Sequence, residues 1–174
     1  IDLEAVRSSP GVVAVLTAAD IPGENDCGPI VHDDPILADG LVQYVGQPMF
    51  AVVAESLVAA RRAARQAKVD YALLPAVLTP QEAKRRESCV LPPMHLQRGD
   101  PAAALAAAPR RLVGEFFVGG QEQFYLEGQI SYAIPREDDG MLVHCSTQHP
   151  SEMQHLVALA LKLHAHHVQV ECRR

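Results

Sequence analysis

Pro150-Ser151-Glu152-Met153-Gln154-His155-Leu156-Val157-Ala158-Leu159-Ala160-Leu161 spells a helix more plainly than any other run in the chain. Proline suits the first helical position, where its missing N–H is not needed, and Glu152 sits at the positive end of the helix dipole. Met153, Leu156, Val157, Ala160 and Leu161 then fall on one face. Strand patterns flank this helix. Residues 141–147 pair naturally, across the polar turn 136–140, with the weakly alternating run 126–134 as a hairpin. Downstream, Val168, Val170 and Cys172 alternate onto one side of a further strand.

The first half mixes the same ingredients. Val12 to Leu16 is a short β-branched run bounded by Pro10-Gly11 and Thr17, and reads as a buried strand. Residues 21–29 are rich in Gly, Pro, Asn and Asp and read as a loop. Strands are expected at 41–44 and 49–54, around Gly46-Gln47-Pro48, and again at 69–71. Ser56 is placed to cap a helix over 57–68. Residues 79–101, with Thr79-Pro80, a charged run, Pro92-Pro93 and Arg98-Gly99-Asp100-Pro101, look like a surface connection. One or two helical turns at 102–108 close on Pro109, and 111–118 is an extended run. The fold class expected is mixed α+β.

Composition bounds the function classes. The chain has 174 residues, 48% of them hydrophobic, enough for a core in one domain or two small ones. A net charge of −6 with scattered Lys and Arg argues against nucleic acid as a main partner. The short basic clusters at 61–62, 84–86, 110–111 and 173–174 read as solvated faces. No apolar run reaches the roughly 18 residues of a membrane span, and no secretory signal is visible. Ile1 rather than Met opens the sequence, so the true start is expected upstream. Cys27, Cys89, Cys145 and Cys172 form no C-x-x-C pair, which suits four free thiols in a reducing cytoplasm.

Gly119-Gly120-Gln121-Glu122-Gln123-Phe124-Tyr125-Leu126-Glu127 carries the candidate chemistry. Two glycines allow an unusual backbone path or the close approach of something bulky, and Gln121 presents an amide that both donates and accepts. Phe124 and Tyr125 are expected in packing, and Glu122 and Glu127 in structural roles. His164, His166 and His167, with His144, Cys145, His149 and His155 in the same region, invite a zinc reading. Their spacing matches no structural zinc signature, so surface or loop histidines are expected. Templates for P-loops, zincins, dinucleotide folds and serine nucleophile elbows are missing.

This string resembles the molybdenum hydroxylase family, and within it the molybdenum-binding subunit of the xanthine dehydrogenases. The resemblance extends through Pro10 to Gly23, Tyr44-Val45-Gly46-Gln47-Pro48, Arg98-Gly99-Asp100 and Ser146-Thr147-Gln148-His149-Pro150-Ser151-Glu152. It implies a partial hammerhead α/β domain at 1–80, a linker at 81–109, and the N-terminal part of a molybdopterin-binding domain at 110–174. By the same resemblance, Gln121 hydrogen-bonds an oxo ligand of molybdenum without ligating the metal, and Gly119 and Gly120 lie against the cofactor. Position 123, often His in such relatives, is Gln123 here. No catalytic residue is assigned within the chain, because the family's general-base Glu is expected beyond residue 174 and the chain is expected to be a fragment truncated at both ends.

The activity so implied is hydroxylation of xanthine or hypoxanthine with oxygen from water, with electrons passed to NAD through iron–sulfur clusters and FAD. Those carriers are expected on a partner domain or subunit, in a dimer of heterodimers in the cytoplasm, with a purine as substrate and no nucleic-acid or membrane partner. Two alternatives stay open: a related hydroxylase acting on aldehydes or N-heterocycles, and a non-catalytic subunit-packing domain. The 174-residue polypeptide by itself is expected to be inactive. Xanthine-dependent NAD reduction by that polypeptide, purified free of any longer enzyme, would refute this reading.

Overall fold

The computed structural model describes residues 1–126 and 128–173. Glu127, for which a structural role was expected, and Arg174, of the terminal basic pair, lie outside the described residues. The chain divides into two compact units. One joins residues 1–70 to 126–174, and the other is Tyr71–Tyr125. Among the described residues no helix is long and apolar enough to cross a membrane.

The first unit contains two small sheets. β1 (Val12–Leu16) pairs antiparallel with β2 (Ala51–Ala54), with a register irregularity between Val12 and Ala14. The helices α1 (Glu4–Arg7) and α2 (Leu57–Ala64) pack against this pair. Leu3, Val6, Val15 and Ala63 form the core, with Val12, Phe50, Val52 and Ala67 partly buried around it. The expected buried strand at Val12–Leu16 is therefore only half buried. Val15 is its one buried residue and Val13 is 69% exposed, because helices cover one face of a two-stranded ladder. Ser56 caps α2 as its sequence position indicates, its hydroxyl accepting from the Ala59 amide at 3.2 Å. The helix ends at Ala64, short of the expected residue 68.

Two expected strands do not form. At residues 41–44 the Gln43 amide, which a ladder would need, donates instead to the side chain of Gln47 at 2.7 Å. The Gln47 amide in turn donates to the Tyr44 carbonyl at 3.3 Å, closing a turn around a glutamine only 5% exposed. At 69–71 a single bridge replaces the strand, with Asp2 and Lys68 exchanging backbone hydrogen bonds of 2.8 and 3.1 Å. The strand expected at 49–54 is trimmed to Ala51–Ala54.

The second sheet has the order β3 (Ser131–Pro135), β4 (Met141–Cys145), β5 (Val168–Glu171). β3 and β4 form the expected hairpin, though β3 starts later than the run at 126 suggested. Its turn places both Asp138 and Asp139 in the left-handed region, at φ 56° and 59°, and Gly140 donates to the Glu137 carbonyl at 3.0 Å. Aspartate tolerates that region better than most residues, which suits this primed turn. β5 runs parallel to β4, so the chain must cross over between them, and α5 (Pro150–Leu161) is the crossover. Pro150 stands in its first turn and Glu152 near its N-terminus, as the sequence predicts. Gln154 adds a contact that periodicity did not reveal. Its side-chain nitrogen donates to the carbonyls of Ala165 (3.0 Å) and Val168 (2.6 Å), tying the helix to the entry of β5.

The far end of α5 joins the two sheets into one unit. Lys162 adopts the left-handed conformation (φ 56°), and Leu163 and Lys162 donate back to Ala158 and Leu159, a Schellman closure. Carbonyls near a helix end still need donors, and Gly23 and Glu24 supply them, to Ala160 at 2.9 Å and Leu159 at 3.1 Å. The loop is aimed by the preceding turn. There the Asp20 carboxylate accepts from the backbone and hydroxyl of Thr17 at 2.7 and 2.8 Å, and this holds its pKa below the usual carboxylate value.

A Cβ on Gly23 would stand 1.8 Å from the Leu159 carbonyl oxygen, so Gly23→Ala must push the loop off the helix and strip both bonds. Urea unfolding should show a loss of about 2 kcal/mol or more, and an unchanged midpoint would mean this contact does not hold the unit.

Candidate functional site

Gly119, Gly120 and Gln121 lie in the second unit, whose order comes from local caps. Thr79 accepts from the Glu82 amide at 3.2 Å and starts α3 (Pro80–Arg85), with Pro80 in the first turn. Glu82 pairs with both Arg85 and Arg86. The expected loop at 79–101 thus contains a helix, because a capped N-terminus and i,i+3 and i,i+4 charge pairs stabilise what composition alone marks as linker. Asp100 caps α4 (Pro101–Ala107) in the same way, accepting from Ala103 at 3.0 Å, where sequence placed one or two turns.

Beyond α4 the chain has no regular structure up to Tyr125. Gly119, Gly120 and Gln121 lie here, all exposed. The expectation that the glycines permit an unusual backbone path is corrected, since neither has φ in the left-handed region. Nor does this chain crowd them. A Cβ on Gly119 would meet only the Phe117 ring, at 3.9 Å, and one on Gly120 would meet nothing within 4 Å. What remains is the room a side-chain-free stretch leaves beside an exposed amide. The expected packing of Phe124 and Tyr125 is also corrected. Phe124 is 86% exposed at φ 53°, and Tyr125 is exposed. Glu122 accepts weakly from the Phe124 amide at 3.5 Å, a local role.

A second constellation, in the first unit, was not foreseen. At the ends of β4 and β5 a cleft of about 440 Å³ is lined by His144, Cys145, Ser146, Glu171 and Arg173 among others. His144 Nδ1 stands 3.3 Å from the Glu171 carboxylate, and its ring stacks on Tyr132 at 6.2 Å between centroids. The pairing follows from the β4–β5 register, in which His144 lies opposite Glu171. No local pattern reveals that register, since 27 residues separate the partners.

The histidine string lies in the 3-10 turn Ala165–His167 and its N-cap. The rings of His164 and His166 stack at 5.5 Å, and those of His166 and His167 meet edge-on at 4.3 Å, while the His167 Nδ1 is buried without a hydrogen-bond partner. Among the described residues no group of three or more His, Cys, Asp or Glu side chains is placed to hold a metal ion.

The family described as "Molybdopterin cofactor-binding domain" matches residues 81–174, and that described as "Aldehyde oxidase and xanthine dehydrogenase, a/b hammerhead domain" matches residues 1–75. The chain belongs to the molybdenum hydroxylases. Within that family it is 37% identical over 177 residues to a xanthine dehydrogenase of Drosophila subobscura and 40% identical over 176 residues to aldehyde oxidase 1 of Macaca fascicularis. Each match covers 100% of this chain but 13% of the relative, so the chain spans a small part of the length of these molybdenum hydroxylases. Among solved structures, the aldehyde oxidoreductase of Desulfovibrio gigas superposes with a TM-score of 0.82 at 24% identity, over 99% of this chain and 21% of that one. Quinoline 2-oxidoreductase of Pseudomonas putida 86 does so at 0.80 and 25% identity, over 98% of this chain and 24% of that one. The mixed α+β class, with hammerhead and molybdopterin-binding parts, is thus the one expected.

Because a Cβ at Gly120 would meet nothing within 4 Å among the described residues, Gly120→Ala should leave the unfolding free energy within about 0.5 kcal/mol of the parent. A larger loss in urea titration would assign that glycine to folding instead.

Proposed function

We propose that this chain is part of the molybdenum-binding subunit of a xanthine dehydrogenase, an enzyme that hydroxylates xanthine and hypoxanthine with oxygen from water. The single observation that carries the proposal is the exposed Gly119-Gly120-Gln121 segment, lying within the span that matches the molybdopterin-binding family. The residues present fit such a group. Among the described residues a Cβ on Gly119 would meet only the Phe117 ring and one on Gly120 nothing within 4 Å, and Gln121 carries a neutral amide next to them. Molybdopterin, when bound, supplies the redox chemistry. Gln121 would offer that group a neutral hydrogen-bond donor that adds no fixed charge, without ligating the metal. Gly119 and Gly120 let the backbone pass close to the cofactor.

The remaining apparatus belongs to the whole enzyme. It comprises the general-base Glu, the iron–sulfur clusters and FAD of a partner domain or subunit, transfer of electrons to NAD, and assembly as a dimer of heterodimers in the cytoplasm. The substrate is the finer part of the proposal. Whole-chain identity to an aldehyde oxidase is as high as to the xanthine dehydrogenases, which keeps aldehydes and N-heterocycles as the second reading.

In the complete enzyme, Gln121→Ala should lower molybdenum occupancy or turnover by roughly 10–100-fold, read by metal analysis and steady-state rates. Both values unchanged would remove Gln121 from the site. Parallel assays with xanthine, an aromatic aldehyde and an N-heterocycle decide the substrate, and a preference for either of the latter would overturn xanthine.

A further inference from the structure

The ladder between β4 and β5 keeps a constant offset of 27 residues through Met141–Val168, Leu142–Gln169, Val143–Val170 and His144–Glu171. One step further, the same offset sets Cys145 opposite Cys172. Neighbouring strands lie about 4.8 Å apart and in-register residues project to the same face, inside the Cα range of roughly 4.4–6.8 Å that a disulfide spans. Hydrogen bonds hold Cys172 at this end of the sheet. Its Sγ donates to the Thr147 carbonyl at 3.1 Å and accepts from the Thr147 amide at 3.4 Å, and Thr147 leaves β4 two residues after Cys145. Both thiols are partly exposed. Burial, and behind it the charge of Cys172, push the Cys145 thiol above its usual pKa, which agrees with the two sulfurs being neighbours.

We propose that Cys145 and Cys172 form an oxidisable dithiol, closed to an intramolecular disulfide by peroxide. One thiol is oxidised to a sulfenic acid as hydrogen peroxide loses its first oxygen and releases water. The second thiol then attacks that sulfur, the S–S bond forms and a second water leaves. In sum two thiols lose two protons and two electrons, and one peroxide takes them up to become two waters. The bridge would cross-link the ends of β4 and β5 beside the cleft that Cys145 lines. Cys27, which donates to the Asp34 carbonyl, and the exposed Cys89 lie outside this ladder.

The native protein treated with hydrogen peroxide, alkylated and digested without reductant tests this by mass spectrometry. The expected product is a monomer lighter by two hydrogens, with the Cys145 and Cys172 peptides linked, and the link is lost on adding dithiothreitol. Sulfinic acid at either cysteine without a link, a bridge through Cys27 or Cys89, an intermolecular bond, or no reaction would each overturn the proposal. Cys145→Ser and Cys172→Ser should each abolish the link. The mapping on the unsubstituted protein decides the matter even if a variant fails to fold.

Discussion

The last turn of α5 cannot satisfy its own carbonyls, and the way it is closed holds the first unit together. Gly23 and Glu24, from the first 70 residues, donate to Ala160 and Leu159, from the last 50. Gly23 meets the Ala160 carbonyl and Glu24 adds a second donor to the Leu159 carbonyl, which also accepts from Lys162, and this brings backbone within hydrogen-bond range of backbone. Glycine alone fits at position 23, where any Cβ would overlap the Leu159 carbonyl. The Thr17–Asp20 turn upstream and the Asn25 side chain, which exchanges hydrogen bonds with the Leu37 backbone at 2.7 and 2.9 Å, keep the loop in position from both sides. The βαβ crossover and the α1/α2/β1/β2 core are thereby parts of one unit rather than two.

The other unit is organised differently. Thr79, Asp100 and the Glu82 charge pairs stabilise two short helices from within a few residues, and no sheet follows. Leu112, Val113, Phe116 and Phe117 stand almost fully exposed just before the Gly119-Gly120-Gln121 segment. The family's motif therefore sits where this chain exerts the least hold on its own backbone.

Local signals were legible in the sequence wherever the deciding contacts are local. Ser56 as a cap, Pro150 at the start of α5, the hairpin about residues 136–140 and the helical turns after Asp100 all rest on partners within four residues or on simple periodicity. Misreadings share an opposite cause. The strand pattern at 41–44 lost to the Gln47 side chain, which captured an amide that a neighbouring strand would have needed. The apolar run Val12–Leu16 reads as buried because composition does not say how many faces are covered. Phe124 and Tyr125 look like core residues by type and are exposed by position.

By itself the sequence determined the Ser56 cap, the hairpin about residues 136–140, the helix α5 and, through ordered motifs over nearly its whole length, membership of the molybdenum hydroxylases. Those depend on propensities, short-range hydrogen bonds and residue identity, all of which are written linearly. Only the tertiary structure decided that Gly23 serves α5, that Gln154 ties α5 to β5, that His144 meets Glu171, and that Cys172 bonds to Thr147. Each joins residues 11 or more positions apart. Register and close approach arise from the packing of whole elements, and no local pattern encodes them.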